Sequence, residues 1–184
     1  MKKALVMFFG VAFLAAGCGD PNSDVGGPFG GNGNGQCGGA GPETTSLDVQ
    51  EQQFLQLLNQ HRAANGVGPV TACTSMNRAA QGHSEDMRDQ GYFNHSGLNG
   101  SSPGSRACDA CFETCESTGF GENIAAGNAT AQATFEQWLN SSGHNANMLG
   151  ESYVVLGIGR ATEGGEYGTY WTNLFATDDD PSCN

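Results

Sequence analysis

The hydrophobic periodicity of this 184-residue chain changes from helical to strand-like along its length, and this order restricts the fold more than any other feature. In the first part, apolar residues recur at helical spacing and predict helices over residues 48–65 and 75–90. A third helix is predicted from Asn128, a residue that favours the N-cap position, to about Ser141. A short helix is predicted to follow at 145–149.

The C-terminal part of the chain alternates in the manner of strands. Residues 153–160 and 167–176 are predicted strands, and the turn between them contains Gly164 and Gly165. A further short strand is predicted at 92–94. Because helices precede a C-terminal hairpin, we predict an α+β fold in which helices cover a mainly antiparallel sheet.

The first eighteen residues have the composition of a targeting segment. Two lysines precede an apolar run that is too short to span a bilayer, and small residues then lead to Cys18. This order predicts a lipoprotein signal over residues 1–18, with Cys18 as the lipidated N-terminus; an ordinary secretory signal is the alternative. The predicted location is the cell envelope, and Gly19 after the lipidated cysteine favours the outer membrane over the inner one.

Composition divides the rest of the chain into three parts. Residues 19–46 are rich in glycine and lack aliphatic periodicity, so we predict a disordered tether. Residues 47–177 are long enough for one domain with one core. Residues 178–184 begin with three aspartates and are predicted to be a solvated acidic tail.

Seven cysteines are an odd number for an exported protein unless one of them has another use. With Cys18 lipidated, six remain, and these could form three disulfides in any of fifteen pairings. The six candidates are Cys37, Cys73, Cys108, Cys111, Cys115 and Cys183. The spacing of Cys108, Cys111 and Cys115 could also hold a metal, but no histidine lies close by in the sequence, so a disulfide-stapled loop is favoured.

Acidic residues greatly outnumber basic ones. Both lysines lie in the predicted signal, which leaves five arginines against nineteen acidic residues and a net charge of about −14 in the mature chain, with histidines neutral. Such a surface repels phosphate backbones and anionic headgroups. We therefore predict no nucleic-acid partner, and membrane attachment through the lipid anchor only.

Three segments carry polar side chains with candidate chemistry. His95 follows Tyr92-Phe93-Asn94 and precedes a loop rich in glycine and serine, where a polar group favours function. Glu122, in Gly121-Glu122-Asn123-Ile124-Ala125, is predicted at the edge of a buried strand or turn, where a carboxylate needs a partner. His144 precedes the short helix, whose dipole favours a neutral imidazole.

Together with Leu58-Asn59-Gln60-His61-Arg62 and His83-Ser84-Glu85-Asp86-Met87, these segments resemble the bacterial branch of the CAP superfamily, also called SCP or PR-1-like domains. The resemblance covers residues 47–175 in the usual order of the family. It implies a three-layer α-β-α sandwich, which agrees with the predicted elements.

The resemblance also implies that His95, Glu122 and His144 meet in one cleft. Many animal and plant members have a second glutamate at the position that Ser141 occupies here. A mechanism that needs paired carboxylates is therefore disfavoured, whereas a two-histidine metal site with Glu122 nearby is not.

We predict a binding or effector module whose cleft holds a divalent metal, most readily zinc, through His95 and His144. Glu122 would orient the ligands or complete the metal's shell. The ligand would be a small molecule, a peptide or an envelope component, and the protein is predicted to be a monomer.

Two alternatives stay open. One is a hydrolase with Glu122 as general base, although the chain has no Gly-x-Ser-x-Gly or His-Glu-x-x-His motif. The other is a disulfide-stapled scaffold in which the histidines only brace the cleft. Two further histidines, His61 and His83, are predicted to make structural contacts, the second of them with Asp86.

Overall fold

The structure is a computed structural model that describes residues 46–183. The predicted signal peptide, the lipidated Cys18, Cys37 and nearly all of the predicted tether lie outside the described residues and stay predictions. No helix within 46–183 combines the length and the apolar character needed to cross a membrane.

The described chain folds into five helices, a four-stranded sheet and a final 3-10 turn. The helices are α1 (Val49–Ala64), α2 (Thr74–Gln90), α3 (Pro103–Asp109), α4 (Ala131–Leu139) and α5 (Ser142–Met148). The strands are β1 (Thr71–Ala72), β2 (Phe120–Ala126), β3 (Val155–Gly164) and β4 (Gly168–Ala176), and the turn is Pro181–Cys183.

The strands form one sheet in the order β1-β3-β4-β2, in which β1 runs parallel to β3 and the other pairs are antiparallel. Alternate residues of β4 point to opposite faces, so Trp171 packs with α1 and α4 while Leu174 packs with α2 and α3. The three-layer α-β-α arrangement with a mainly antiparallel sheet is therefore confirmed.

Local sequence explains where α1 begins and ends. The Asp48 side chain accepts a hydrogen bond from Glu51 N at 2.7 Å, and the Glu51 side chain accepts one from Asp48 N at 2.7 Å. This capping box satisfies two of the backbone donors that a helix start leaves open. The helix ends before Asn65, so the predicted range of 48–65 includes both caps.

Arg62 ties the end of α1 to the segment that follows α5. Its side chain is 1% exposed and donates to the carbonyl oxygens of Met148, Gly150 and Tyr153 at 2.9, 3.1 and 3.0 Å. A buried guanidinium needs such partners because its charge is costly to desolvate. Arg62 thereby helps to place α5, which carries His144.

The strand β1 has only two residues, and polar side chains of α2 bind the backbone of β3 beyond it. Asn77 accepts from Ile158 N at 3.0 Å, and Gln81 accepts from Arg160 N at 2.8 Å. Further along, Arg88 donates to the Thr162 carbonyl at 3.1 Å. Side chains of one helix thus replace part of a missing neighbour strand.

Several predicted boundaries differ from the structure. The third predicted helix starts at Ala131 with Thr130 as N-cap, not near Asn128, because the Thr130 side chain accepts from Ala133 N. The short strand predicted at 92–94 is wrong, since this segment is a loop. Its Asn94 carbonyl binds a histidine side chain instead of a neighbouring strand.

The acidic end of the chain is only partly solvated, which corrects the prediction of a solvated tail. Asp180 is 5% exposed and accepts a hydrogen bond from Glu113 N at 2.9 Å, while Asp178 and Asp179 are exposed. The reason lies next to it: Cys183 forms a disulfide with Cys73 that holds the terminus against the start of α2.

Two disulfides form between candidate cysteines that lie within the described residues. Cys73 joins Cys183 over a separation of 110 residues, and Cys108 joins Cys115 over 7 residues. The second bridge confirms the stapled loop, and it uses two of the cysteines that a metal in this loop would need. The pairing of Cys37 lies outside the described residues.

Candidate functional site

Glu122 is the centre of the candidate site. It lies on β2, an edge strand of the sheet, and its side chain is 2% exposed. One carboxylate oxygen, Oε1, accepts from His95 Nδ1 at 2.8 Å, and the other, Oε2, accepts from Arg106 Nη2 at 2.5 Å. The prediction that this carboxylate needs a partner is confirmed, and both of its oxygens are engaged.

Arg106 binds the loop that carries His95 as well as the carboxylate. It lies on α3, it is 8% exposed, and its Nη1 donates to the carbonyls of His95 and Ser101, each at 3.1 Å. A capping box between Ser102 and Ser105 begins this short helix. One guanidinium therefore joins α3, β2 and the loop.

Sequence reasoning missed Arg106. It lies between a loop rich in glycine and serine and the cysteine cluster, and no periodicity marks it as buried. One signal could have found it. A buried carboxylate needs a cation, and only five arginines were available for Glu122.

His83 also belongs to the site. It is 1% exposed on α2, its Nε2 donates to the Asn94 carbonyl at 3.0 Å, and the same nitrogen is 4.0 Å from Glu122 Oε1. Burial and the nearby charge of Arg106 lower the pKa of His83 to about 4, so the ring is neutral near pH 7.

The buried position predicted for His83 is confirmed, but neither ring nitrogen forms a hydrogen bond with Asp86, which acts on His83 through its charge. Asp86 accepts a hydrogen bond from the Tyr92 hydroxyl instead. Residues at i and i+3 of a helix are neighbours, yet His83 turns toward the loop because the Asn94 carbonyl needs a donor.

His144 approaches the site from the other layer. It lies in the first turn of α5, with its ring centre 6.2 Å from that of Trp138. Asn123 donates to the His144 carbonyl at 3.0 Å and accepts from Asn147 at 2.9 Å, so amide side chains fix α5 to β2. Sequence reasoning assigned no such role to Asn147.

Burial lowers the pKa of His144, and the nearby His95 ring acts in the same direction. A neutral imidazole at this position was predicted, but from the helix dipole; the causes are burial and the second histidine. The Nδ1 atom of His144 is buried and has no hydrogen-bond partner among the described residues. This nitrogen is therefore uncommitted.

The ligand atoms of His95, Glu122 and His144 do not all lie close together. Among the described His, Cys, Asp and Glu side chains, only Cys73, Asp180 and Cys183 offer three ligand atoms within 4.8 Å of one another, and two of these sulfurs form a disulfide. His95 and Glu122 are in direct contact, whereas His144 is not within that distance of both. An open site with few protein ligands fits this geometry better than a closed one.

Two other predicted positions serve the structure. His61 Nε2 lies 2.9 Å from the Asn145 side chain, and its ring packs edge-on against Phe135, so a structural contact is confirmed. Ser141, which replaces the second glutamate of many family members, is the N-cap residue of α5 and makes no side-chain capping bond.

A cavity of about 220 Å³ lies elsewhere, between the start of α1, α2 and β3. Asp48, Glu51, Glu85 and Arg160 contribute its charged lining. Burial raises the pKa of Glu51 to about 7, although the Asp48 backbone hydrogen bond acts in the opposite direction. None of the predicted site residues lines this cavity, and its acidic residues at α1 already form the helix cap.

The orientation of His95 is the main chemical consequence of the site. A carboxylate can only accept, so His95 Nδ1 carries a proton, and in the neutral ring Nε2 then carries the lone pair. The His95 side chain is 52% exposed, in contrast to the buried Glu122. The Glu122 contact thus fixes the Nδ1 side of a ring that is otherwise about half exposed.

Comparison with known proteins places this geometry in a family. Residues 55–175 match the cysteine-rich secretory protein family, CAP. YkwD of Bacillus subtilis strain 168 is 30% identical over 136 residues, which cover 71% of this chain and 48% of YkwD. YlbC, a membrane protein of the same organism, is 34% identical over 117 residues, 64% of this chain and 32% of YlbC. The chain thus spans about half or less of the length of these curated relatives.

Solved structures agree. An extracellular protein containing an SCP domain from Bacillus anthracis has a TM-score of 0.59 and 28% identity, covering 73% of this chain and 45% of that one. An outer surface protein of Borrelia burgdorferi has a TM-score of 0.62 and 16% identity over 72% of this chain and 97% of that one, which is a likeness of fold. Since the family match covers about two thirds of the sequence, the chain belongs to the cysteine-rich secretory protein (CAP) family.

Proposed function

We propose that this protein is a binding or effector module of the cell envelope whose cleft holds a divalent metal, zinc in the first place, through His95 and His144. The observation that carries the proposal is the hydrogen bond of His95 Nδ1 to Glu122 Oε1 at 2.8 Å. Metal-binding histidines commonly donate their other ring nitrogen to a carboxylate, which fixes the tautomer and raises the basicity of the ligand.

The second imidazole supports the same proposal. Burial lowers the pKa of His144 and so favours its neutral form, and its buried Nδ1 has no hydrogen-bond partner among the described residues. Neutral imidazoles are the form that binds zinc, and zinc accepts water or a ligand at the positions that the protein leaves open. The two histidines would hold the ion, and the ion would supply a Lewis acid for ligand binding.

Binding is favoured over hydrolysis because of how Glu122 is held. Arg106 occupies one oxygen and His95 the other, and the side chain is 2% exposed. A general base must reach the proton that it removes, and this carboxylate faces its protein partners instead. We therefore assign Glu122 an orienting role.

Charge supports a neutral or cationic partner. All five arginines of the described residues have a protein acceptor: Arg62, Arg78 and Arg88 donate to backbone carbonyls, Arg106 to Glu122 and carbonyls, and Arg160 to Asp48. An acidic surface with its cations engaged disfavours nucleic acid and anionic headgroups. The ligand is a small molecule, a peptide or an envelope component, and the lipid on Cys18 provides the attachment.

The test is a zinc titration of the mature chain from residue 18, with Cys18→Ser so that it stays unlipidated. We expect one zinc per chain, and about 2.7 kcal/mol of added stability when free zinc is 100 times the dissociation constant. His95→Ala and His144→Ala should each weaken binding at least tenfold. Binding should be lost as the pH falls below about 6, because protonated imidazole cannot be a ligand.

His61→Ala is the matched control, since His61 is not one of the two proposed ligands and its side chain contacts Asn145 and Phe135. It should lose some stability and keep its zinc affinity. Absence of zinc from the purified protein, together with an unchanged melting temperature on zinc addition, would overturn the proposal. Turnover of peptides or cell-wall fragments that Glu122→Ala abolishes would favour a hydrolase instead.

A further inference from the structure

We propose that Arg106 and His83 are positioning residues that together hold His95 in one tautomer, with its Nε2 lone pair directed outward. The effect of these two residues on metal affinity rests on the proposed function. The tautomer of His95 does not depend on that function, because it is a property of the metal-free protein.

Two side-chain hydrogen bonds hold the backbone of His95. The peptide carbonyl before this residue, Asn94 O, accepts from His83 Nε2 at 3.0 Å. The carbonyl after it, His95 O, accepts from Arg106 Nη1 at 3.1 Å. The two donors come from α2 and α3, so the His95 backbone cannot turn without breaking a partly buried hydrogen bond.

Arg106 also holds the Glu122 carboxylate. Arg106 Nη2 holds Glu122 Oε2 at 2.5 Å, which leaves Oε1 to face His95 Nδ1. Because the same guanidinium binds the Glu122 carboxylate and the His95 carbonyl, it fixes the position of the carboxylate relative to the His95 ring. An imidazole without such an acceptor exchanges between its two tautomers.

His83 lies 4.0 Å from the same carboxylate oxygen. Its Nε2 proton points to a carbonyl, so the ring does not compete with His95 for Glu122 Oε1. Arg106 binds the carbonyls of His95 and Ser101, and the loop between them is closed by Gly97 N, which donates to Ser101 O at 3.0 Å. Holding two of its carbonyls therefore holds His95.

The experiment compares four variants with the parent chain carrying Cys18→Ser. Arg106→Met and His83→Leu remove the hydrogen-bond donors. Arg106→Lys keeps the positive charge but lacks the planar guanidinium with its several N–H donors, and His83→Gln keeps a donor for Asn94 O. The first readout is the ring ¹⁵N spectrum of His95 in the zinc-free protein, which reports the protonated nitrogen. The second is zinc affinity by competition with a chelator.

We expect one tautomer, protonated at Nδ1, in the parent chain and a mixture in Arg106→Met. Zinc affinity should fall about 10–100-fold in Arg106→Met and His83→Leu, as is usual when a partner behind a metal ligand is removed. The zinc affinity of Arg106→Lys should lie between those of the parent and Arg106→Met. The affinity of His83→Gln should stay close to that of the parent, because glutamine keeps a donor for Asn94 O. Arg78→Met is the control, because Arg78 donates to the Ala110 carbonyl and does not touch Glu122.

The inference is overturned if Arg106→Met and His83→Leu fold, keep the single His95 tautomer and bind zinc like the parent. Should Arg106→Met fail to fold, Arg106→Lys decides, since its single ammonium cannot serve the carboxylate and two carbonyls with the geometry of a guanidinium. If no chain binds zinc but the tautomer still depends on Arg106, the proposed function fails and the positioning role stands.

Discussion

The two faces of the sheet are packed in opposite ways. The α1 face, formed with α1, α4 and α5, is filled by large aromatic rings, and Phe54 contacts Phe135, Trp138 and Trp171 at centroid distances of 6.2, 5.2 and 6.1 Å. The α2 face, formed with α2 and α3, combines several alanines with a few larger side chains, namely Met76, Phe112 and Leu174. A Cβ on Gly159 would lie 2.2 Å from Gln81 N, so backbone meets backbone there.

Both described disulfides belong to the α2 face, whose cluster includes Cys73, Cys183 and Cys115. Large rings bury much apolar area, whereas alanine and glycine bury little. The α2 face, which has fewer large rings, is stabilised in addition by close backbone approach, covalent links and polar contacts. It also carries Glu122, His83 and Arg106, so the charged half of the site lies on the same face as the two described disulfides.

Removing the long disulfide should cost most. We expect the double variant Cys73→Ser, Cys183→Ser to lose about 4–5 kcal/mol of unfolding free energy, because the bridge closes a separation of 110 residues. Urea denaturation measures the change. Cys108→Ser with Cys115→Ser, over a separation of 7, is the matched pair and should lose about 2–3 kcal/mol. Equal losses would contradict the loop-length explanation.

On the α1 face, Phe54→Ala should lose about 3–5 kcal/mol, since it removes a fully buried ring from the centre of the aromatic cluster. Thermal and urea unfolding would measure it. Phe93→Ala, at an exposed ring, is the control and should change stability by less than about 0.5 kcal/mol. A loss below about 1 kcal/mol for Phe54→Ala would mean that the rings do not dominate this face.

On the α2 face, adding one methyl group should be costly. Gly159→Ala should destabilise by about 3 kcal/mol, because the new Cβ meets backbone atoms of Ala80 and Gln81 that cannot move aside. Gly143→Ala is the control, since nothing lies within 4 Å of its Cβ position and it lies in α5. It should leave stability unchanged or raise it slightly. A tolerated Gly159→Ala would refute the close packing.

The pH dependence of stability should also distinguish the two faces. On the α2 face, the pKa of His83 is about 4 in the folded protein and near 6.5 when unfolded, so the unfolded state binds more protons between these values. This contribution is present above pH 6.5 and is lost as the pH falls toward 4, by roughly 2–3 kcal/mol. His83→Gln should remove it, as urea midpoints across about pH 4–7 would show.

On the side of α1, Glu51 should act with the opposite sign. Its pKa rises from 4.5 to about 7 on folding, so the folded state binds more protons in this range. Stability from this group is present below pH 4.5 and is lost as the pH rises through 7, by roughly 2–3 kcal/mol. Glu51→Gln should flatten that slope and leave the His83 slope intact; an unchanged slope would refute the assignment.

Sequence reasoning was reliable where a signal is local. The predicted range 48–65 differs from α1 only by its two capping residues, because helical periodicity and a capping aspartate lie within the segment itself. The hairpin of β3 and β4 was found for the same reason. The error at 92–94 had a distant cause, since His83 satisfies the Asn94 carbonyl from another helix.

The sequence by itself determined the layers of this protein and its family, since periodicities of about 3.6 and 2 residues and short motifs are properties of neighbouring residues. It also named His95, Glu122 and His144. Only the tertiary structure decided what these residues do to one another: that Arg106 binds Glu122, that His83 belongs to the site, and that His95 Nδ1 donates to Glu122. Those contacts join residues that are 11 to 39 positions apart, and their cause is the desolvation of buried charge and backbone, which no local pattern encodes.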